Sequence, residues 1–594
     1  MRRAATRSGG IERALLRRAP GEDRFLSFSA PERALIAHEP DEVPALLLEV
    51  ERAAAAGRWA VGFVAYEAAG AFDRALVTHE PLPGVPVAAF SIFAEAREVA
   101  APAAERPARL SSIAPAVAAD EHAAAVAAIR AAIARGETYQ VNFTFPCAAT
   151  YHGAPEDLFA ALLAPGEAPY AAFLGADRWT IASLSPELFF SREHGRLTMR
   201  PMKGTRARGR FPAEDRALAA ELAGAVKDRA ENLMIVDMVR NDLARVAATG
   251  SVRVERPFAI ERYPTLWQMT SGVTAASEAT LSDLFAALFP CASVTGAPKV
   301  AAMEWIRRLE PAPRGVYCGA VGCVAPGGAA RFSVGIRTLT LDHQAGTATY
   351  GVGSGIVWES EAGAEYRECL DKAAVLANPP AGGFELFETL LWRSCGAARW
   401  LEHHLARLVA SADHWGFPCD APAARRAVAE RGAALPRAAH RLRLRLAPDG
   451  AFAVEVEEWT ARPRIWTVAL AHRRVDSGDR FLFHKTTRRA VYDAALAAAP
   501  PGIDEVLLVN ERGELTEGTR TNLVLEIDGR RLTPRLEAGL LPGVARGRLL
   551  AAGRIAEATL APSDLARATR VWLVSSLRGI LPARRPQLPL ESPA

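Results

Sequence analysis

The sequence predicts an α+β protein of two domains, each built largely on antiparallel sheet. Length is the first reason: 594 residues exceed what one core holds, since a domain takes about 100–250. The mixture of patterns is the second. "RWAVGFVAYE" and "RFSVGIRTLTL" read as strands, and "EHAAAVAAIRAAIARG" between them reads as a helix. Further on, "RLRLRLA", "AFAVEVEEW", "EVLLVNERGEL" and "TNLVLEIDG" read as strands with hairpin turns at Glu511–Gly513 and Asp528–Gly529. The third reason is "ANPPAGG", residues 377–383, where paired prolines and glycines end a helical segment before the strand-like "FELFETLLW". The chain therefore divides into a leader over residues 1–20, a domain over 21–377, a linker over 378–383 and a second domain over 384–594. The Ala-Pro-rich "EVAAPAAERPARL" from Glu98 reads as a loop inside the first domain.

A net charge of +4 over this length gives no basis for nucleic acid or an anionic membrane as a partner. Seven cysteines are scattered and form no CxxC pair, which argues against a disulfide framework or a zinc site and suits a reducing cytosol. "MRRAATRSGGIERALLRRAP" has arginines but no long apolar run. It reads as a frayed leader, neither a signal peptide nor a membrane span.

Only five of the 71 basic residues are lysine: Lys203, Lys227, Lys299, Lys372 and Lys485. Arginine replaces lysine freely on a surface. It fails where a neutral amine must act or where a compact point charge is needed. The surviving lysines therefore mark positions to inspect.

Two acidic pairs stand near them. Asp228 and Glu231 in "KDRAENLMIVDMVRNDL", and Glu365 and Glu368 in "EYRECLDK", each lie at i, i+3, one face of a helix. Such faces could hold Mg²⁺ through oxygen ligands, but spacing alone reads more readily as solvated faces with ordinary ion pairs. "VTGAPK" places Thr295 and a glycine before a helix opened by Lys299, a turn suited to an anion. The glycines of "YGVGSGIV" do not follow the Rossmann pattern and fit a close-packed strand as well.

In order, "GETYQVNFT", "SPELFF", "RPMKGTR", "AENLMIVDMVRNDLARV", "VTGAPK", "PRGVYCGAVG", "IRTL" and "GVGSGIV…EYRECLDK" resemble the chorismate-utilising enzymes over most of residues 58–375. That resemblance implies a large chorismate-binding α/β domain with antiparallel sheets and one deep site using Mg²⁺ and chorismate. Glu231 and Glu368 would hold the metal, with Asp228 and Glu365 in support. Tyr317 and Arg337 would take the enolpyruvyl carboxylate. Thr205, Thr295, Lys372 and the backbone at Gly353 and Gly355 would hold the rest of the substrate. Glu187 would be the acid for the departing ring hydroxyl. Lysine at 203, where anthranilate synthases carry alanine, points to the aminodeoxychorismate-forming branch, with Lys203 as a covalent nucleophile. Gln140 stands where water-using relatives carry a base lysine, and Gln268 where anthranilate synthases carry histidine. No glutaminase segment is evident, so the resemblance implies a separate glutamine amidotransferase subunit supplying ammonia.

In the second domain, Lys485 is the single lysine, in "FLFHKTTRRAVYD". Such a residue is a candidate Schiff-base lysine for pyridoxal phosphate. Glu517 could pair with a pyridinium nitrogen, and "GLLPGVARG" offers a turn into a helix for a phosphate. With "LEHHLARLVASADHWGF" and "VWLVSSLRGILP" these segments resemble the fold-type IV pyridoxal-phosphate enzymes. The resemblance implies Arg407, Ser576 and the N–H groups around Gly543, Val544 and Ala545 on the phosphate. Asn522 would support the site and Arg578 would read a substrate carboxylate. It also allows a homodimer through this domain. "SSLRG" is similar to the aminodeoxychorismate lyase branch, although Ser575 stands where asparagine is common and Ala545 where threonine is. Together the two resemblances imply 4-aminobenzoate synthesis for folate. Open alternatives are an anthranilate synthase-type first domain, an amino-acid aminotransferase as the second, or a non-catalytic assembly module there.

Overall fold

A computed structural model describes residues 9–163, 168–263, 265–377, 383–393, 395–460 and 465–584. The chain forms two compact units. One holds Met1–Ala207 and Ala219–Ala381; the other holds Arg208–Leu218 and Gly382–Ala594. Most of the expected linker, 378–382, lies outside the described residues.

The first unit is two large antiparallel sheets, of 11 and 10 strands, with helices packed on them. Strand Trp59–Val64 is buried along nearly its whole length, as a strand covered on both faces must be. The centre of the 11-stranded sheet pairs Gln140–His152 with Thr347–Ile356, setting Gly353 opposite Thr144 and Gly355 opposite Asn142. The core between the layers is aromatic, with Phe189, Phe190, Phe285, Phe289 and Phe332 in mutual ring contact. Among the described residues no helix is long and apolar enough to cross a membrane.

Three readings change. The leader expected over residues 1–20 is, from Ile11 to Arg17, a strand paired with both Arg24–Ser29 and Tyr170–Ala176; residues 1–8 lie outside the described residues. Ile11, Ala14 and Leu16 are buried there, so the apolar positions among the arginines supply a core face. "RFSVGIRTLTL" is two strands, Ala330–Val334 in the 10-stranded sheet and Thr338–Asp342 in the 11-stranded one. Arg337, at φ 50°, stands at the break, and the chain changes sheet across it. The Ala-Pro-rich loop contributes two short strands at its ends, Arg97–Ala100 and Arg109–Leu110.

The second unit has a three-stranded sheet, Leu386–Trp392, His440–Leu446 and Phe452–Glu458, and an eight-stranded sheet of mixed direction. Both expected hairpins form. Asp528 and Gly529 turn with φ of 49° and 72°, the left-handed pair a tight two-residue connection requires. In "HRLRLRL" the burial alternates strictly, placing Leu442, Leu444 and Leu446 in the core and Arg441, Arg443 and Arg445 on the opposite face.

Candidate active sites

In the first unit three strands converge on one point. A Cβ carbon on Gly355 would lie 2.9 Å from Gln140 Nε2 and 3.2 Å from Lys203 Nζ, so the missing side chain is what lets both polar ends meet over the strand. Gln140 is 1% exposed, and its Nε2 has no hydrogen-bond partner among the described residues. Lys203 and Thr205 sit on strand Met202–Ala207, held beside Leu266–Ala276. Thr205 Oγ1 donates to Gln268 Oε1 at 3.0 Å, and Gln268 Nε2 donates to Gly204 O at 2.9 Å.

Glu187 faces the same point from the turn between Trp179–Ser185 and Leu188–Glu193. Burial pushes its carboxyl up to about 7, against a hydrogen bond from Ser293 and the charge of Lys203. Its Oε1 has no hydrogen-bond partner among the described residues. An acid held near neutrality beside an amine is an arrangement able to donate a proton at physiological pH.

Helix Val226–Ala244 carries Asp228 and Glu231, and Ala362–Ala377 carries Glu365 and Glu368. Burial raises the Glu231 carboxyl; Lys203 and Lys227 oppose this, and the like charges of Asp228 and Glu365 add to it. Asp228 takes Arg206 Nη2 at 3.0 Å. Glu368 stands apart, exposed and paired with Lys372 at 2.7 Å, while Lys372 Nζ also donates to Gly353 O at 2.8 Å. Among the described residues no group of three or more acidic, His or Cys side chains is gathered to cage a metal. Mg²⁺ asks for less, one or two carboxylates completed by water and substrate oxygens. Glu231, half-buried among like charges, fits that demand.

The other expected residues are spread around this centre. The Tyr317 ring packs on Gly351, where a Cβ carbon would come within 2.2 Å of it. Arg337 lies close enough for its charge to act on the Tyr350 hydroxyl. "VTGAPK" is not an open turn. Gly296 and Ala297 pair with Val141 and Gln140, and the Thr295 hydroxyl is turned to the carbonyls of Cys291 and Ala292 at 3.2 and 3.3 Å. Lys299 is occupied by Asp242 at 3.0 Å.

In the second unit a cavity of about 320 Å³ gathers Lys485, Arg407, Glu517, Asn522, Gly543 and Val544. Ser576 and Arg578 line it too. Lys485 Nζ sits 4.6 Å over the Phe387 ring. Burial pulls its amine down to about 7, helped by Arg407 and Arg489 and opposed by Glu388 and Glu517. Glu517 is pushed up to about 7 by burial and accepts from Tyr492 Oη at 2.9 Å, Asn522 Nδ2 at 3.1 Å and Leu541 N at 3.1 Å. Helix Val544–Ala551 opens at Gly543, leaving the N–H groups of its first turn without intrahelical partners. Gly543 admits no side chain: a Cβ carbon would lie 1.9 Å from Asn522 Oδ1. Ala545 is buried in the same first turn. An amine, a carboxyl that can face a ring nitrogen, and a helix start beside Arg407 make a donor set that fits pyridoxal phosphate.

Sequence reasoning missed Glu388 and Tyr492. Glu388 is 1% exposed and grips Arg407 Nε and Nη2 at 2.8 and 2.7 Å, with His404 Nδ1 at 2.6 Å. Burial alone would raise its carboxyl; Arg407 and His404 hold it down to about 2. A carboxylate inside the apolar "FELFETLLW" was the available signal for it. Tyr492, one helical stretch after Lys485, had no comparable signal.

Residues 13–378 match the family model described as chorismate binding enzyme. The chain belongs to the chorismate-binding enzyme family. Residues 385–585 match the amino-transferase class IV model, a domain class that implies pyridoxal phosphate, so the expected pairing of the two domain types holds. Aminodeoxychorismate synthase component 1 of Salmonella typhimurium is 42% identical over 253 residues, covering 42% of this chain and 55% of that protein. The chain spans about half the length of such curated relatives. Anthranilate synthase component I from Streptococcus pneumoniae shares the fold of the first unit (TM-score 0.53, 24% identity), over 60% of this chain and 92% of its own. A putative amino-acid aminotransferase from Mesorhizobium loti is 40% identical, over 34% of this chain and 99% of its own, with a TM-score of 0.33.

Proposed function

We propose that the chain converts chorismate to 4-aminobenzoate in two steps, one in each unit. The observation that carries the first is the placement of Lys203 Nζ at Gly355, close enough for its charge to act on the near-neutral acid Glu187. Lys203 attacks ring carbon 2 as a neutral amine, and Glu187 protonates the departing 4-hydroxyl, which leaves as water. Ammonia then adds at carbon 4 and expels the lysine. Tyr317 and Arg337 hold the enolpyruvyl carboxylate. Thr205, Thr295, Lys372 and the strand at Gly353 and Gly355 hold the remainder. Glu231 and Glu368 would hold Mg²⁺ with Asp228 and Glu365 in support, and the ion would draw the ring carboxylate. That arrangement requires the Glu368–Lys372 pair to open. Gln140 offers an amide and no base, which supports attack by ammonia over attack by water. Relatives named as a component 1 support a separate glutamine amidotransferase subunit as the ammonia source.

In the second step pyridoxal phosphate, when bound, supplies an electron sink. Arg407, Ser576 and the N–H groups of Val544 and Ala545 would hold its phosphate, and Glu388 fixes the Arg407 fork. Glu517, braced by Asn522 and Tyr492, would pair with the ring nitrogen. Lys485 takes the proton from carbon 4 of aminodeoxychorismate; the ring becomes aromatic and the side chain leaves as pyruvate. The scattered cysteines suit a cytosolic setting.

Chorismate, Mg²⁺ and an ammonium salt should give 4-aminobenzoate and pyruvate without anthranilate, and Lys485→Ala should stop at aminodeoxychorismate. Anthranilate as the main product would overturn the first assignment. Transamination of ordinary amino acids without 4-aminobenzoate would overturn the second.

A further inference from the structure

The cavity around Lys485 is lined by far more arginine than a phosphate needs. Arg407 is taken by Glu388 and Pro542 O, but Arg441, Arg443, Arg520 and Arg578 also face the space. They reach it from separate elements. Arg441 and Arg443 stand on one face of strand His440–Leu446, about 7 Å apart by the strand repeat. Arg520 lies in the turn before Asn522–Ile527, and Arg578 in the turn after Arg570–Ser575.

These groups form two stations. Arg443 lies over the Phe387 ring at 4.4 Å, the ring that also carries Lys485 Nζ. The other station is Arg578 with Arg441 and Arg520, whose charges both act on it. Arg578 is half-buried, with its guanidinium 5.2 Å over Trp459 and 5.4 Å over Trp466, and no acceptor for its side chain among the described residues. The acid nearest to it electrostatically, Glu505, is 0% exposed and already accepts from Thr519, Thr521 and Arg520 N. Arg520 Nη2 donates to Asp504 O at 2.9 Å, and Arg441 pairs with Glu457. Among the described residues Arg441 and Arg443 are balanced only from the solvent side, by the exposed Glu457 and by Glu455 at 3.8 Å, and Arg578 beside its two indoles has no paired acid; like charges grouped this way are costly unless an anion completes the site.

We propose that this wall selects amine substrates bearing two carboxylates, with Arg443 taking the one near Lys485 and Arg578, flanked by Arg441 and Arg520, taking the other. The inference rests on the lyase reading of the second unit and adds the residues that would separate its substrate from monocarboxylate amino acids. It predicts discrimination from charge: a lone carboxylate leaves one station empty, and a guanidinium fork pays back its desolvation only when an anion fills it.

Calorimetric titration of the full chain loaded with pyridoxal phosphate, using benzene-1,3-dicarboxylate and benzoate as probes, tests this. The first unit is itself proposed to bind a dicarboxylate, so the quantity read is the binding event lost on substitution in the second. Arg578→Gln and Arg441→Gln should each weaken that event by about ten- to hundredfold for the dicarboxylate. Benzoate binding should hardly change, and the visible absorbance of bound cofactor should persist. The KM for aminodeoxychorismate should rise by a similar factor with kcat nearly held. Arg531→Gln, outside the cavity, serves as the control. Dicarboxylate binding unchanged in both cavity variants would overturn the proposal even if 4-aminobenzoate is formed. Loss of binding in a protein that makes no 4-aminobenzoate would sustain the proposal and defeat the lyase reading.

Discussion

Gly355→Ala should separate the chemistry of the first unit from its stability. The added methyl would lie 2.9 Å from Gln140 Nε2 and 3.2 Å from Lys203 Nζ, where ordinary contact begins near 3.4 Å. Gln140 must therefore retreat by about 0.5 Å and Lys203 by about 0.2 Å. Both are the ends of flexible side chains, so the strand accepts the change and the reacting amine does not keep its place. A misplacement of about 1 Å costs roughly a hundredfold in rate, so a shift of a few tenths should cost about tenfold, near 1.4 kcal/mol of barrier. The assay is ammonium-dependent formation of aminodeoxychorismate, with cleavage of supplied aminodeoxychorismate by the second unit as the internal reference. That second rate and the Tm should stay as in the parent. Gly353→Ala is the contrasting change. Its methyl would meet Phe143 O at 2.6 Å, main chain of the paired strand that cannot step aside, and about 1–3 kcal/mol of stability should be lost. A Gly355→Ala protein with full amination rate, or one that loses as much Tm as Gly353→Ala, would refute the placement of the amine.

The near-neutral acid gives a second expectation: the amination rate should fall as pH rises through about 7, because Glu187 is then deprotonated and cannot donate, and Glu187→Gln should flatten that limb while lowering the rate. Gly543→Ala should drive its methyl into Asn522, 1.9 Å away, and release the amide that braces Glu517. Retention of pyridoxal phosphate through gel filtration should drop and 4-aminobenzoate formation with it, while amination by the first unit continues.

Part of each candidate site was legible because lysine is rare in this chain, and the structure places Lys203 at Gly355 and Lys485 in the cavity of the second unit. Lys203 and Lys485 stood out against an arginine background, whereas the spacing of Asp228, Glu231, Glu365 and Glu368 alone favoured solvated ion pairs, which is what Glu368 makes with Lys372. What was not legible depends on pairing between distant segments. That Ile11–Arg17 is a strand follows from its partner at Tyr170–Ala176, which local composition does not encode. That Arg337 ends one strand and begins another follows from a change of sheet that an unbroken apolar run conceals. The turn at Thr295 looked open because its partner, Gln140–His152, lies far upstream. Glu388 was passed over as part of a strand, since its importance comes from Arg407 and His404 reaching it across the layer.

The alternation in "HRLRLRL" ties two properties to one backbone register. Leu442, Leu444 and Leu446 belong to the core, and Arg441 and Arg443 to the cavity, with one residue between each. One residue inserted into the turn between His440–Leu446 and Phe452–Glu458 and absorbed by sliding the first strand would exchange the two faces, sending guanidinium groups inward and leaving leucine to greet the substrate. Selection on the cavity would thus guard the core as well, and this hairpin should tolerate changes of residue type far better than changes of length.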